Sequence, residues 1–169
     1  MNHSTVLYIL IPVSVIFISI DFLRHHVQLI KYLYIYFFDK VTRNIEKEYN
    51  TFTGATYYLL GCLIIMLLFK DRSIIMASLL TMSIADSFAA IIGIKYGVTR
   101  IYNKKSLEGS FVFFIISFLI LNIFISSISI TISILIALIV TLVELFSFNY
   151  INDNITIPIS CALLIKFLV

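Results

Sequence analysis

The stretch SIADSFAAIIG, Ser83 to Gly93, sets one carboxylate, Asp86, inside a run from Ser73 to Tyr96 that is otherwise almost uncharged. A run of that length and apolarity reads as a helix that crosses a bilayer. A carboxylate at such depth costs several kcal/mol unless it is paired, hydrated or metal-bound. Ala85, Ala89, Gly93 and Gly97 recur every fourth residue around it. Small residues in that register let a second helix approach closely. Asp86 adjoins this stripe and is expected to point into a helix bundle. Two readings stay open at this point. One is a hydrogen-bonded packing aspartate, the other a ligand for hydrated Mg²⁺ or a catalytic carboxylate.

The rest of the chain fits the same solvent. Of 169 residues, 61% are hydrophobic and only 12% charged, and the mean hydropathy is +1.07. A soluble domain of this size does not need so much apolar surface. The expected fold is therefore all-α: a polytopic integral membrane helix bundle forming a single membrane-embedded domain over residues 1–169. A net charge of +3 without a long basic run argues against nucleic acid as a partner. Cys62 and Cys161 lie in apolar segments without metal-ligand or C-x-x-C spacing and read as packing residues. Met1 to Asp21 lacks a basic n-region and an A-x-A site, so it reads as a retained first helix.

About six transmembrane helices plus one interfacial amphipathic helix account for the pattern. The expected spans are Thr5–Ile20, Gly54–Phe69, Ser73–Tyr96, Gly109–Ser127, Ile130–Phe148 and Asn154–Val169. Val27 to Tyr49 carries Ile30, Tyr34, Phe37, Val41 and Ile45 at helical spacing but is interrupted by charges. Its uncharged run, Tyr32 to Phe38, is too short to span, so it is expected to lie on the membrane surface, with a further crossing that would invert the downstream topology as the alternative. Pro158 suits a first turn, so regular helix in the last span is expected to begin near it. Five Lys/Arg residues fall between Arg24 and Lys47, and Arg100, Lys104 and Lys105 fall between the third and fourth spans. The positive-inside rule then places the amino terminus outside and these basic loops in the cytoplasm. The inner membrane of a prokaryote is the expected location. DFLR, NKKSLEG and NDN gather at one face in this topology.

YNKKSLEG, Tyr102 to Gly109, joins two lysines, a serine and a glycine at a helix entrance. Lysines supply charge for anionic oxygen, Ser106 a hydroxyl, and free N–H groups at the helix start would point at the anion. The competing reading is a basic loop that only sets topology. Glu144 lies one turn from the cytoplasmic end of its span, where an interfacial residue reaching for water is the alternative. Asp153 or Asn154 would serve as a plain N-cap. Asp21 and Arg24, three apart, share a helix face and would form at least a surface ion pair. No Ser-His-Asp set, zinc spacing or P-loop is readable. Together, carboxylates for a divalent cation and lysines for phosphate, open to cytosol and lipid, suggest transfer of phosphate or nucleotide to a lipid.

In this order the motifs resemble the CTP-dependent lipid kinases (dolichol, phytol and farnesol kinases and the CTP-using diacylglycerol kinase), within the wider phosphatidate cytidylyltransferase superfamily. The matching pieces are Asp21-x-x-Arg24, Arg43-x-x-Glu46, TGATYYLLG (Thr53–Gly61), IADSFAAIIGIKYG (Ile84–Gly97), KKSLEGS (Lys104–Ser110), Glu144 and DNITIP (Asp153–Pro158). The resemblance implies a CTP donor, Mg²⁺ and a membrane lipid alcohol as acceptor. It implies catalytic roles for Asp86 and Glu144, and metal ligation by Asp86 and Asp153. Phosphate binding would fall to Lys104, Lys105, Ser106, Gly109, Arg24 and Lys95, with Asp21 and Asn154 completing the polar site. Ile94 stands where relatives commonly have arginine, with Lys95 beside it. Many relatives also carry a basic amino-terminal helix ahead of the D-x-x-R segment, for which this sequence has no counterpart.

The leading expectation is Mg²⁺-dependent phosphorylation of a polyprenol, dolichol, phytol or diacylglycerol by CTP. A phosphatidate cytidylyltransferase is the alternative, disfavoured because KKSLEGS leads straight into an apolar helix. A non-enzymatic transporter or membrane subunit is the reading from another class. The small-residue stripe packs within one chain or across a homodimer, and the sequence leaves both open.

Overall fold

The computed structural model describes residues 3–38, 52–102, 105–146 and 152–169. Its helices are α1 (His3–His26), α2 (Gln28–Phe38), α3 (Gly54–Leu68), α4 (Arg72–Leu80), α5 (Asp86–Tyr96), α6 (Leu107–Phe124), α7 (Ile130–Leu145) and α8 (Asp153–Leu168). A π-helical turn, Thr81–Ala85, joins α4 to α5, and a short antiparallel pair, β1 (Arg100–Tyr102) and β2 (Lys105–Ser106), precedes α6. The all-α expectation thus holds apart from this small hairpin, which stands where a plain loop was expected.

Three helical stretches are long and apolar enough to cross a membrane: His3–His26, Arg72–Tyr96 and Leu107–Phe124. The apolar helices α3 and α7 are shorter. The 16 residues of α7 reach about 24 Å, against a hydrocarbon core of about 30 Å. By length and composition the structure therefore supports three of the six expected spans. The surface helix expected over 27–49 is described only as α2, and residues 39–51 lie outside the described residues.

The chain divides into two compact units, 1–63 and 64–169, and the division falls within α3. In the first unit α1 runs on through the DFLRHH segment, so Asp21 and Arg24 stand one turn apart on regular helix. In the second, α5 packs on α6, α6 on α7, α7 on α8, and α8 on α4. Its core is drawn from Phe113, Ile120 and Leu121 of α6, Ile136 and Val140 of α7, and Ile157, Cys161 and Ile165 of α8. Asn122 Nδ2 donates to Ser133 Oγ at 3.1 Å, a polar tie between α6 and α7.

Local chemistry fixes the ends of these helices. Asp71 caps α4 through Ser73 N–H at 2.8 Å, Ser129 caps α7, and Asn152 caps α8 through Asn154 N–H at 3.0 Å. The cap at Asn152 corrects two expectations. Neither Asp153 nor Asn154 is the N-cap, and regular helix starts before Pro158, which is contained in α8. The π turn has its own support. Thr81 Oγ1 donates to Ala77 O at 2.9 Å and Ser83 Oγ to Leu79 O at 2.8 Å, satisfying carbonyls where the regular ladder changes pitch.

The small-residue stripe is where α5 meets α6. A Cβ added at Gly109 would lie 2.8 Å from Ala89 O and 3.3 Å from Gly93 Cα. Both are backbone atoms of the facing helix, so the stripe packs within this chain. At Gly97 an added Cβ would meet Ser106 Oγ at 2.6 Å and Ser106 Cβ at 2.7 Å. Space, not dihedral angle, demands glycine there.

Gly109→Ala is expected to destabilise the chain by about 1–3 kcal/mol, the usual range for overpacking. Gly93→Ala should cost less, because its closest neighbour is the Ser106 hydroxyl at 3.0 Å, a side chain that can turn aside. Thermal unfolding of both variants in detergent checks the order. Equal midpoints would show that the helices separate freely at this contact.

Candidate active site

Two polar clusters hold most of the residues singled out from the sequence, one in each unit. In the first unit Asp21 is buried at 2% exposure and Arg24 at 6%. Asp21 Oδ1 faces Arg24 Nε at 3.1 Å. Asp21 Oδ2 accepts from Thr53 N–H at 2.7 Å, from Thr53 Oγ1 at 2.9 Å and from Thr56 Oγ1. Thr56 N–H in turn donates to Thr53 Oγ1 at 3.3 Å, closing the first turn of α3. The carboxylate thus grips the amino end of α3, whose partial positive charge suits an anion. Arg24 also stacks on Tyr34, with Cζ 4.8 Å from the ring centre. The sequence suggested a surface pair here, whereas the structure shows a buried one with two threonines completing it. Thr53 and Thr56 stand in TGATYYLLG, where the sequence alone assigns them no role. A threonine just ahead of a helix is a capping signal, but nothing local to it points to Asp21.

In the second unit the hairpin delivers Lys105 and Ser106. Ser106 is buried at 2% exposure and caps α6, its Oγ accepting Gly109 N–H at 3.1 Å. Leu107 N–H donates to Thr99 O at 2.9 Å, and Thr99 N–H donates to Glu108 Oε1 at 3.1 Å. Two amides that the sequence left free for an anion are therefore engaged within the chain. Lys105 Nζ lies 2.7 Å from Glu144 Oε1 and 2.9 Å from Asp153 Oδ2, and it also donates to Glu144 O. One ammonium thus joins β2, the carboxyl end of α7 and the first turn of α8. Both helix ends favour the arrangement: the cation sits where α7 presents orphan carbonyls, and Asp153 where α8 is positive. Burial alone would lower the Lys105 pKa, but the Glu144 and Asp153 carboxylates outweigh it and raise the value above the ordinary 10.5.

The remaining residues are placed as follows. Asp86 opens α5 directly after the π turn and is half-buried. Lys95 lies in the last turn of α5, exposed, with Nζ 5.2 Å from the Tyr96 ring centre. That is about 14 Å along the helix axis from Asp86. Asn154 is half-buried in the first turn of α8. Lys104, Arg43 and Glu46 lie outside the described residues. Among the described residues no group of three or more His, Cys, Asp or Glu side chains converges as a metal site. Glu144 and Asp153 do converge on one cationic centre, and a carboxylate pair with a backbone carbonyl is an oxygen donor set of the kind Mg²⁺ takes alongside water and substrate phosphates.

Asp21→Ala should destabilise the first unit by about 3–5 kcal/mol, because it leaves a buried guanidinium uncompensated. Denaturation followed by circular dichroism would register this, and a change under 1 kcal/mol, roughly the worth of a surface pair, would contradict it. At Lys105 the folded-state pKa is raised, so its contribution to stability is complete below the unfolded value of 10.5 and is lost as pH rises through the higher folded value. The difference in unfolding midpoint between wild type and Lys105→Met is expected to hold from neutral to moderately alkaline pH and to shrink only above that point. A difference already gone at pH 9 would show that the tie does not persist in solution.

No family model matches the chain, and no solved structure does. An uncharacterized protein of Rickettsia prowazekii is 32% identical over 162 residues, 92% of this chain and 78% of that protein. The CTP-dependent diacylglycerol kinase 1 of Saccharomyces cerevisiae is 33% identical over 111 residues, 64% of this chain and 37% of the kinase. The probable chloroplastic phytol kinase of Triticum aestivum is 34% identical over 144 residues, 76% of this chain and 47% of the kinase. The chain thus spans less than half the length of these two kinases. Over most of its own length the chain is thus similar to parts of CTP-dependent diacylglycerol and phytol kinases.

Proposed function

We propose that this chain transfers the γ-phosphate of CTP to the hydroxyl of a membrane lipid alcohol, a polyprenol, dolichol, phytol or diacylglycerol, with Mg²⁺ as cofactor. The observation that carries the reading is the convergence of Glu144 and Asp153 on one cationic point beside the capped start of α6, in a chain similar to parts of CTP-dependent lipid kinases. Mg²⁺, when bound, would neutralise phosphate charge. Glu144 and Asp153 are the residues suited to hold it, with Asp86 on the adjoining stripe. Lys105 and Lys104 would draw in the nucleotide phosphates, while Ser106 and Gly109 hold the start of α6 against α5 beneath them. In the first unit Arg24, paired with Asp21 and lying over the Tyr34 ring, carries a guanidinium of the kind that binds phosphate oxygen. Asp86 would take the hydroxyl proton as the alcohol oxygen bonds to the γ-phosphorus. The bond from that phosphorus to the bridging oxygen breaks, and CDP departs.

The same reading makes residues 1–169 one membrane-embedded domain. It counts the shorter helices α3, α7 and α8 as crossings too, which local bilayer thinning accommodates. The basic loops then set the reaction at the cytoplasmic face and the amino terminus outside, in a prokaryotic inner membrane.

Purified chain in mixed micelles with Mg²⁺, CTP labelled at the γ-phosphate, and a panel of diacylglycerol, phosphatidate and isoprenoid alcohols tests the reading. Label recovered in a lipid, with CDP as co-product, is expected. Pyrophosphate release with cytidine on lipid would replace it with a cytidylyltransferase. Asp86→Asn should lower kcat about a hundredfold or more, the scale of a lost general base. Unchanged turnover would remove Asp86 from the chemistry.

A further inference from the structure

Lysine carries three N–H donors, and Lys105 Nζ is met by three oxygens: Glu144 Oε1, Glu144 O and Asp153 Oδ2. In this state it has no donor to spare for a phosphate. Among the described residues two carboxylates meet one ammonium here, an excess of negative charge. A divalent cation would balance that charge, and the same oxygens are of the hard type it takes. The Glu144 side chain is 6% exposed, but those of Lys105 and Asp153 are 23% and 30% exposed, so the cluster opens to solvent on the Asp153 side. Lys105 sits on a flexible four-carbon stem in a two-residue strand that runs straight into the Ser106 cap of α6. An ammonium released from the carboxylates would remain tethered beside that helix start.

We propose that Lys105 is an exchangeable counter-ion: in the nucleotide-free chain it holds the Glu144–Asp153 pair, and it yields the pair to a divalent cation and thereby becomes available to nucleotide phosphate. The inference rests on the kinase reading only for what the released lysine then binds. Its own content is an order of events. Until the cation arrives, the lysine is occupied and the carboxylate pair is closed, so cation and phosphate binding are coupled through one side chain.

The test uses the full chain in detergent, without nucleotide, and Mn²⁺ as the probe. Amine-reactive labelling of Lys105, read by peptide mass spectrometry against Lys95 and Lys166 as internal references, should rise several-fold as Mn²⁺ saturates. Mn²⁺ affinity, followed by electron paramagnetic resonance, should tighten about tenfold in Lys105→Met, at the lower end of ordinary site coupling. It should be lost in Asp153→Asn. Constant Lys105 labelling through the titration, no Mn²⁺ binding to the native chain, or weaker Mn²⁺ binding in Lys105→Met would each overturn the proposal. Labelling is read on the native chain, so a variant that fails to fold does not block the result. Mn²⁺-dependent release of Lys105 in a chain without CTP turnover would sustain the exchange and sink the kinase reading.

Discussion

Backbone-to-backbone contact between α5 and α6 governs the second unit. Where Ala89 O and Gly93 Cα face Gly109, no room remains for a side chain. That contact presses the start of α6 against the stripe and puts Ser106 between Gly93 and Gly97. Lys105, the residue before Ser106, emerges at the ends of α7 and α8. In a bilayer such a contact gains little from the hydrophobic effect, since lipid is as apolar as leucine. It rests on dispersion between close backbones, which is why each missing Cβ matters.

Charge is handled in opposite ways by the two clusters. Asp21 is enclosed, with amide, hydroxyl and guanidinium donors disposed around it. Such an anion is held as a fixture, and its role is to keep Arg24 and the start of α3 in place. Lys105 is bound by oxygen acceptors, two of them carboxylates, and part of its surroundings is open. An excess of carboxylate over cation is a poor resting partner for phosphate and a good one for another cation. The sequence motif KKS therefore does not reveal that one of its lysines is already engaged.

Much of the architecture was legible because it depends on local signals. Three apolar runs of sufficient length, the small-residue stripe and the helix entrance at Ser106 can all be read from residues within a few positions of one another. The pairing of Asp21 with Arg24 follows from a spacing of three. The partners of Lys105 do not, because they lie 39 and 48 residues away. Nothing in either segment specifies which carboxylate will meet which lysine. Thr53 and Thr56 reach Asp21 from 32 and 35 residues away for the same reason. The start of α8 was displaced toward Pro158 because proline's fit to a first turn outweighed Asn152, whose capping side chain shows only in the fold. The π turn had no sequence signal, since Thr-Met-Ser-Ile-Ala is compatible with ordinary helix.

That turn separates two helical registers. Each loop of a π helix closes one residue later than in an α-helix, so Thr81–Ala85 contains one residue more than a regular path from α4 to α5 would need. The face that α4 lays against α8 and the face that α5 lays against α6 are therefore set independently. Evolution can retune the Asp86 side of this long helix without disturbing the packing upstream. Among homologous chains, a gap of one position just before the aspartate would mark a change of helical pitch, with the residues on both sides still structurally equivalent.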